Sequence, residues 1–541
     1  MNLTRMLSTG AALVALSVAT PATAQQDFTM SIIHTNDVHS RVDQVTATGS
    51  FCTPQNAEQN RCFGGYPRLA TKIRELRAAR PNPVLLDAGD VFQGTLFYTL
   101  AKSDAVKPFL NALGYDAMTL GNHEFDDGPA ELAKFLDGLR VPVVTANIDV
   151  SKEPRLQNKW LSHRVLVVGG QRVGVIGLTT RETTVTSSPG DTVAFGEHVE
   201  ALKREVAALQ AVGVNKIIAL THVGTGEDQA LARAVDGVDV FVGGHSHTLL
   251  HNGADNRKEG PYPIVVNTPS GAPALVVSAF YGGIFLGDLQ VTFDSRGVVK
   301  AWEGDTILMD AKIAREPEMQ AMVERMSAPL AELRTRPVGT AGVALDGSNA
   351  SCRFGECNFG NLIADAMLGA ARPQGATIAI QNGGGIRTSI PEGQVTFGQI
   401  LEVLPFSNSL ATFQIEGAEI VAALENGVGR ADNPQNEGTG RFPQVAGMRY
   451  SFDPSKPAGS RIVSVEVRAA DGSFAPIDRA ALYTLVTNDF VRKGGDGYAM
   501  FKDKAKNAYD AGPNLEDVVA DFIRTRGTVA PQAEGRITRV N

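Results

Sequence analysis

Apolar and polar positions follow two rhythms along the first three-fifths of the chain. Short β-branched runs at Phe28–His34, Val84–Leu86, Ala117–Leu120, Val143–Ala146, Arg172–Leu178, Lys216–Leu220 and Val238–Val242 predict strands. Between several of them, as at Arg68–Ala79 and Gly128–Leu139, apolar residues recur at helical spacing. This alternation predicts an α/β fold. Ile264–Asn267, Ala274–Ala279 and Leu286–Phe293 follow with no helical pattern between them and predict antiparallel strands. Ala314–Pro337 is polar, helical in pattern and interrupted by Pro329. Beyond it the chain starts afresh near Val338, with its own strands and glycine-rich turns. The organisation expected is a first domain over 27–313, a linker helix acting as a hinge over 314–337, and a second α/β domain over 338–541.

The first residues change the picture of where this fold works. Arg5 supplies a positive start, Ala11–Ala19 an apolar stretch, and Ala22-Thr23-Ala24 a small-residue cleavage pattern. Residues 1–24 are therefore read as a signal peptide, and the mature protein as periplasmic or secreted. The apolar stretch is shorter than the ~20 residues that span a bilayer, so no membrane anchor is expected. The chain has 58 acidic against 50 basic residues, a net charge of −8, which argues against a dedicated nucleic-acid binder. In an oxidising compartment the four cysteines read as disulfides, and proximity favours Cys52–Cys62 and Cys352–Cys357.

Candidate chemistry gathers just after the predicted strands. Asp37 and His39 lie in TNDVHS, Asp90 in LLDAGD, Asn122 and His123 in GNHEFD, His222 in ALTHVG, and His245 and His247 in VGGHSH. Ligands collect beyond the carboxyl ends of strands in open α/β sheets, so these distant motifs can meet. A lone strand-end histidine is more often structural. Here five of the nine histidines fall in the five motifs, beside carboxylates and an amide, with no thiolate. That donor set suits Zn²⁺, Mn²⁺, Fe²⁺ or Co²⁺ better than Ca²⁺ or Mg²⁺ alone. Setting His123 aside leaves seven ligands, too many for one tetrahedral site, and two metals sharing Asp90 would use them. His123 is free to act as an acid or electrophile, with Asp126 placed to hold it and favour its protonated form.

The second domain offers groups for a substrate. Arg353 sits inside the Cys352–Cys357 loop, and Asn382 and Arg387 flank three glycines in IQNGGGIRTS. Arg binds anionic oxygens bidentately, and glycines allow close backbone approach. Phe406 in VLPFSN and Phe490 in TNDFVRKGGDGY could sandwich a flat base, and Asp496 could accept hydrogen bonds from ribose hydroxyls. Either Phe alone would be read as core packing.

The ordered set D-x-H, G-D, G-N-H-E-x-D, T-H and G-H-S-H resembles the calcineurin-like metallophosphatases and, more closely, the 5′-nucleotidase family. C-R-F-x-E-C-N, N-G-G-G-I-R, L-P-F and N-x-F-x-x-x-G-G-D-G-Y resemble that family's C-terminal domain, in its ecto-5′-nucleotidase branch. The resemblance implies a four-layer α/β/β/α sandwich followed by a substrate-binding domain. It implies one metal held by Asp37, His39, Asp90 and His247, and a second by Asp90, Asn122, His222 and His245. It places Arg353, Asn382 and Arg387 on the phosphate and ribose side, Phe406 and Phe490 at the base, and Asp496 at the ribose. His247 departs from the pattern, in which Gln or Asn is common there, and bears on which metal is preferred. The activity expected is hydrolysis of nucleoside 5′-monophosphates by water activated between two divalent ions, Zn²⁺ or Mn²⁺ or else Co²⁺. Related hydrolases of UDP-sugars, dinucleotides, 2′,3′-cyclic nucleotides or thiosulfate esters share the first-domain motifs. A non-catalytic nucleotide-binding surface protein and a purely structural secreted protein are readings from other classes, which an intact ligand set disfavours. The oligomeric state is left open.

Overall fold

The computed structural model describes residues 27–47, 49–432, 438–469, 471–510 and 512–541; the leader lies outside them. Two sheets face each other in the first domain. One orders Val299–Leu308, Phe285–Phe293, Phe28–Thr35, Pro83–Asp87 and Ala117–Met118. The other orders Ile264–Asn267, Pro273–Val277, Val240–Gly243, Ile217–His222, Gln171–Thr179 and His163–Val168. Side chains alternate across each strand, so one strand feeds two cores. Met30, Ile32, Val84 and Leu86 meet Val175, Ile218, Leu220 and Val242 between the sheets. Ile33 and Leu85 point the other way, into a cluster with Leu69, Ile73 and Phe109 from covering helices Tyr66–Ala79 and Lys107–Leu113. Ile176, Ala219 and Phe241 likewise pack under His198–Ala211 and Thr225–Ala234. The result is the expected four-layer α/β/β/α sandwich.

Parallel pairing brings the motifs to one edge. Phe28–Thr35 runs parallel to Pro83–Asp87, and Pro83–Asp87 parallel to Ala117–Met118. Gln171–Thr179, Ile217–His222 and Val240–Gly243 are also mutually parallel, with Thr179 opposite His222 and Thr221 opposite Gly243. Every candidate ligand therefore sits at, or within a few residues of, a strand's carboxyl end.

Several local expectations differ from the structure. Val143–Ala146 forms only isolated bridges, Met118 to Val143 and Val144 to Leu161, because the chain crosses the sheet edge instead of extending along it. The helix expected to Leu139 ends at Leu136, where Asp137 turns extended. Pro273–Val277 is antiparallel to Ile264–Asn267 but parallel to Val240–Gly243. His163–Val168 and Val299–Leu308 are strands that the sequence reading passed over. The first forms a hairpin with Gln171–Thr179 across Gly169-Gly170, a turn signal that was readable.

The segment 314–337 is two helices, not one. Pro317–Ser327 buries Met319 and Val323 against Tyr66–Ala79 of the first domain. A 3₁₀ turn over Ala328–Leu330 contains Pro329, and Ala331–Thr335 then packs on Phe397–Val403 of the second. The second domain follows with a five-stranded sheet ordered Pro443–Ala446, Ile378–Asn382, Leu482–Asn488, Leu410–Glu416 and Lys506–Tyr509. Asn358–Ala371 covers one face of it and Gly417–Val428 the other. Cys52–Cys62 and Cys352–Cys357 are both bonded. Among the described residues, no helix is long and apolar enough to cross a membrane.

Candidate dimetal and substrate site

The seven candidate ligands converge in two groups at the sandwich edge. Ligand atoms of Asp37, His39 and His247 lie within 4.8 Å of one another, as do those of Asp90, His222 and His245. Asn122 joins the second group, its Oδ1 lying 3.0 Å from His245 Nδ1. Asp90 faces both, with Oδ2 at 3.0 Å from His222 Nε2 and 3.8 Å from His39 Nε2.

Neighbouring groups set which atoms face inward. His39 Nδ1 lies 3.0 Å from the Phe92 carbonyl, and His222 Nδ1 lies 2.7 Å from that of Ala88. A carbonyl only accepts, so both Nδ1 atoms carry a proton and both Nε2 atoms are turned into the site. His39 Nε2 then stands 3.0 Å from His247 Nε2, and His222 Nε2 stands 3.0 Å from Asp90 Oδ2. Facing imidazole nitrogens and the buried carboxylates of Asp37 and Asp90 direct their donor atoms at two common places. The donor set fits divalent metal ions.

Electrostatics tell the same story. Burial pushes Asp37 up to about 7. Burial pushes His245 down to about 3 and holds His39 and His247 well below the usual imidazole range. Burial also opposes the charge on His222, yet the Asp90 and Asp37 carboxylates overcome it and push this imidazole up to about 10.

Unusual backbone holds this geometry. Asp37, His39, Asp90, His245 and His247 have φ between 49° and 80°, in the left-handed region. Such conformations cost roughly 1–3 kcal/mol each and persist only where the surroundings enforce them. Glu124 supplies much of that enforcement. Its fully buried carboxylate accepts the N–H groups of Asp90 (2.9 Å), Val91 (2.8 Å), Phe92 (3.1 Å) and Gly121 (2.6 Å). Asp90 in turn accepts the His123 N–H at 2.9 Å. Gly121 is obligatory, since a Cβ there would stand 2.1 Å from Asp90 Oδ1. Asn36 donates to Asp37 Oδ2 at 2.7 Å, and Tyr281 stacks on His247 at 4.8 Å. Glu124, Asn36 and Tyr281 were absent from the sequence reading. Only Glu124 had a signal, as an acid with no assigned task inside GNHEFD.

His123 and Asp126 form the expected pair, Nδ1 to Oδ2 at 2.6 Å, and Ser187 donates to the other Asp126 oxygen at 2.7 Å. Burial works against a charge on His123, but Asp126 and Asp90 outweigh it and its pKa is raised. Phe406 of the second domain stacks on His123 at 5.9 Å, and the Arg387 guanidinium lies 5.6 Å over the Phe406 ring.

All six expected substrate residues line one cavity of about 610 Å³ with Asp90, Asn122, His123, Asp126, His245 and His247. Burial, with Arg387 nearby, pushes Arg353 down to about 9, and its buried Nε has no partner. Arg353 and Arg387 thus put two guanidiniums on the same cavity wall, the kind of donors that bind anionic oxygens. Asp496, also at a left-handed φ of 54°, accepts from Asn382 at 2.6 Å. Gly495 has no side chain, which lets the Phe490 ring lie against it; a Cβ would come 2.5 Å from the ring.

This cleft, with metal ligands at strand ends and a dyad beside them, defines a metal-dependent phosphoesterase. The calcineurin-like phosphoesterase model matches residues 30–249, and the 5′-nucleotidase C-terminal domain model matches 337–503. The chain is 40% identical to a snake venom 5′-nucleotidase of Gloydius brevicauda, over 97% of this chain and 90% of that one. It is 39% identical to a human 5′-nucleotidase, over 94% and 90%. A 5′-nucleotidase precursor from Thermus thermophilus superposes with a TM-score of 0.90 at 44% identity, covering 95% of this chain and all of that one. The chain belongs to the 5′-nucleotidase family, and its enzymatic class is that of a metal-dependent phosphomonoester hydrolase.

Two outcomes are expected. Asp90→Ala should cut metal content at both positions and abolish activity; elemental analysis finding two ions per chain would refute the shared carboxylate. Glu124→Gln should weaken metal retention about 10- to 100-fold, the usual effect of altering a group that orients metal ligands. A metal titration unchanged from the parent protein would show that the four N–H contacts do not hold the site.

Proposed function

We propose that this protein is an exported 5′-nucleotidase that hydrolyses nucleoside 5′-monophosphates such as AMP to nucleoside and phosphate. The observation that carries the reading is one cavity lined by metal-ligand candidates together with Arg353, Arg387, Phe406, Phe490 and Asp496, drawn from both halves of the chain. Asp37, His39, Asp90 and His247 would hold one ion, and Asp90, Asn122, His222 and His245 the other. Zn²⁺ or Mn²⁺ suits this all-nitrogen-and-oxygen set, with Co²⁺ a further choice. When bound, such ions supply Lewis acidity at the phosphoryl group and acidify water near neutral pH.

The chain's own residues do the rest. Arg353 and Arg387 hold the phosphoryl oxygens, so developing charge meets preorganised donors. Asp126 occupies His123 Nδ1, which leaves Nε2–H for the substrate. As a water oxygen bonds to phosphorus and the P–O5′ bond breaks, His123 passes this proton to the leaving ribose oxygen, and the proton shed by the attacking water goes to solvent, from which His123 is reprotonated. Asp496 accepts from the ribose hydroxyls, while Phe406 and Phe490 take the base.

Residues 1–24 act as the export signal in this reading, and the mature protein is periplasmic or secreted. The first domain spans 27–313 and the second 338–541. The pivot between them falls at Ala328–Leu330, because the helix before it is packed on the first domain and the helix after it on the second. An open form would exchange nucleotide and a closed form would hydrolyse it.

A phosphate-release screen of AMP, UDP-glucose, NAD and 2′,3′-cyclic nucleotides, after chelation and metal add-back, tests the substrate class. AMP should be preferred; a protein that releases phosphate only from the cyclic nucleotides would overturn the reading. His123→Ala should lower kcat on AMP by roughly 10²–10⁴-fold with metal content unchanged. The loss on p-nitrophenyl phosphate should be smaller, since nitrophenolate leaves without a proton. Equal losses on both esters would remove His123 from the role of acid. Phe406→Ala and Phe490→Ala should raise KM for AMP and flatten base preference, each stack being worth about 1–3 kcal/mol. They should leave p-nitrophenyl phosphate hydrolysis largely intact; parallel losses on that ester would assign the rings to the chemistry instead.

A further inference from the structure

The segment Glu182–Ser188 touches three things that must act together. Upstream it is tied to the metal edge, because the Thr180 N–H donates to the His222 carbonyl at 2.9 Å. In the middle, the single helical turn Thr183–Thr186 packs on the turn Gly495–Gly497, which carries Asp496 of the second domain. At its start, Glu182 pairs with Arg430 of the second domain at 2.7 Å and lies 3.9 Å from Arg441. At its end, Ser187 Oγ donates to Asp126 Oδ1 at 2.7 Å, while Asp126 Oδ2 holds His123 Nδ1. The turn is internally braced, with Thr183 Oγ1 donating to the Thr180 carbonyl and Thr186 Oγ1 to that of Glu182. A displacement at Glu182 is therefore carried to Ser187.

We propose that Ser187 is a positioning residue for the Asp126–His123 pair, and that the second domain sets its position through Glu182. Asp126 lies on a turn between the 3₁₀ segment His123–Phe125 and the helix Gly128–Leu136, and its carboxylate can rotate about χ2. One oxygen on His123 does not fix that rotation. A second hydrogen bond, from Ser187 to the other oxygen, does. When Arg430 grips Glu182, the braced turn seats Ser187 and the carboxylate plane is locked toward Nδ1. When the second domain swings away, the grip, the packing on the Asp496 turn and the lock are released together. The dyad is then aligned only when the domain that binds the nucleoside is seated, which limits hydrolysis to complexes in which both halves contact the substrate.

This inference rests on the nucleotidase reading, and paired substrates separate the two. Ser187→Ala should lower kcat on AMP about tenfold, the kinetic equivalent of losing one hydrogen bond to a charged group. KM should stay within roughly twofold, as for an interaction absent from substrate binding. Metal content and Tm should match the parent, and Ser187→Thr, which keeps the hydroxyl, should restore most of the rate. In an Asp126→Asn background, Ser187→Ala should have little further effect, whereas a purely structural serine would lower the rate in both backgrounds. Arg430→Ala should lower kcat roughly two- to fivefold, as a half-exposed ion pair allows. Added to Ser187→Ala it should change nothing more. An unchanged kcat in Ser187→Ala would overturn the positioning role, and multiplicative losses in the Arg430/Ser187 pair would overturn the coupling. If the parent protein releases no phosphate from AMP, the nucleotidase reading fails. The same cycles run on β-glycerophosphate, another ester with a poor leaving group, then still decide the role of Ser187.

Discussion

Four backbone N–H groups converge on the carboxylate of Glu124, and the metal edge depends on that convergence. Asp90 must face both ligand groups from a left-handed backbone, in a loop whose carbonyls accept from the Asp37, His39 and Ser40 N–H groups while its own N–H groups turn elsewhere. Buried N–H groups without acceptors would cost about 1–3 kcal/mol each. Glu124 satisfies three of them in the Asp90 loop and one at Gly121, so it binds the loop carrying Asp90 to the loop carrying Asn122 and His123. Burial, with Asp90 close by, pushes this carboxyl up to about 7, which the four donors only partly offset. Losing this carboxylate would free the left-handed Asp90 loop and its link to the Asn122–His123 loop at once.

The same reasoning explains how so many ionisable groups share one edge. Side chains that would repel or starve for partners in isolation are placed so that each meets a complementary atom. Imidazole Nδ1 protons meet carbonyls and the ring of His247 meets Tyr281. What is left over after this pairing is a set of lone pairs and carboxylate oxygens pointing at two common centres. That surplus, not any single ligand, is the physical signature of a dimetal site.

Much of this was legible in the sequence because catalytic ligands follow parallel strands, and strand ends can be read from β-branched runs. Asp37, Asp90, Asn122, His222 and His245 each sit just past such a run, which is why distant motifs could be assembled without coordinates. The sandwich was legible for the same reason. Val143–Ala146 misled because its composition suits a strand while its place at a sheet edge allows only two bridges. The interruption of the linker at Pro329 was legible, and the structure turns it into a 3₁₀ break between two helices packed on different bodies. Ser187, Asn36, Tyr281 and Glu182 were invisible, since each acts through a partner brought close by the fold: Asp126, Asp37, His247 and Arg430. Polar residues of that kind carry no periodicity and no spacing rule.

The placement of Phe406 shows why chemistry and recognition cannot be read as separate modules. Its ring comes from the second domain yet rests on His123 of the first, with Arg387 over the ring. An aromatic face against His123 excludes water from one side of the dyad, and lower local polarity strengthens the His123–Asp126 attraction. Ser50 and Thr388 meet nearby at 2.7 Å, and the Phe51 N–H donates to the buried Glu402 at 2.8 Å, so the Cys52–Cys62 loop of the first domain also braces this approach. These contacts join the two halves at more than one place. In the proposed mechanism, seating the second domain would therefore do more than deliver a base pocket: it would also set the surroundings of His123 on the first.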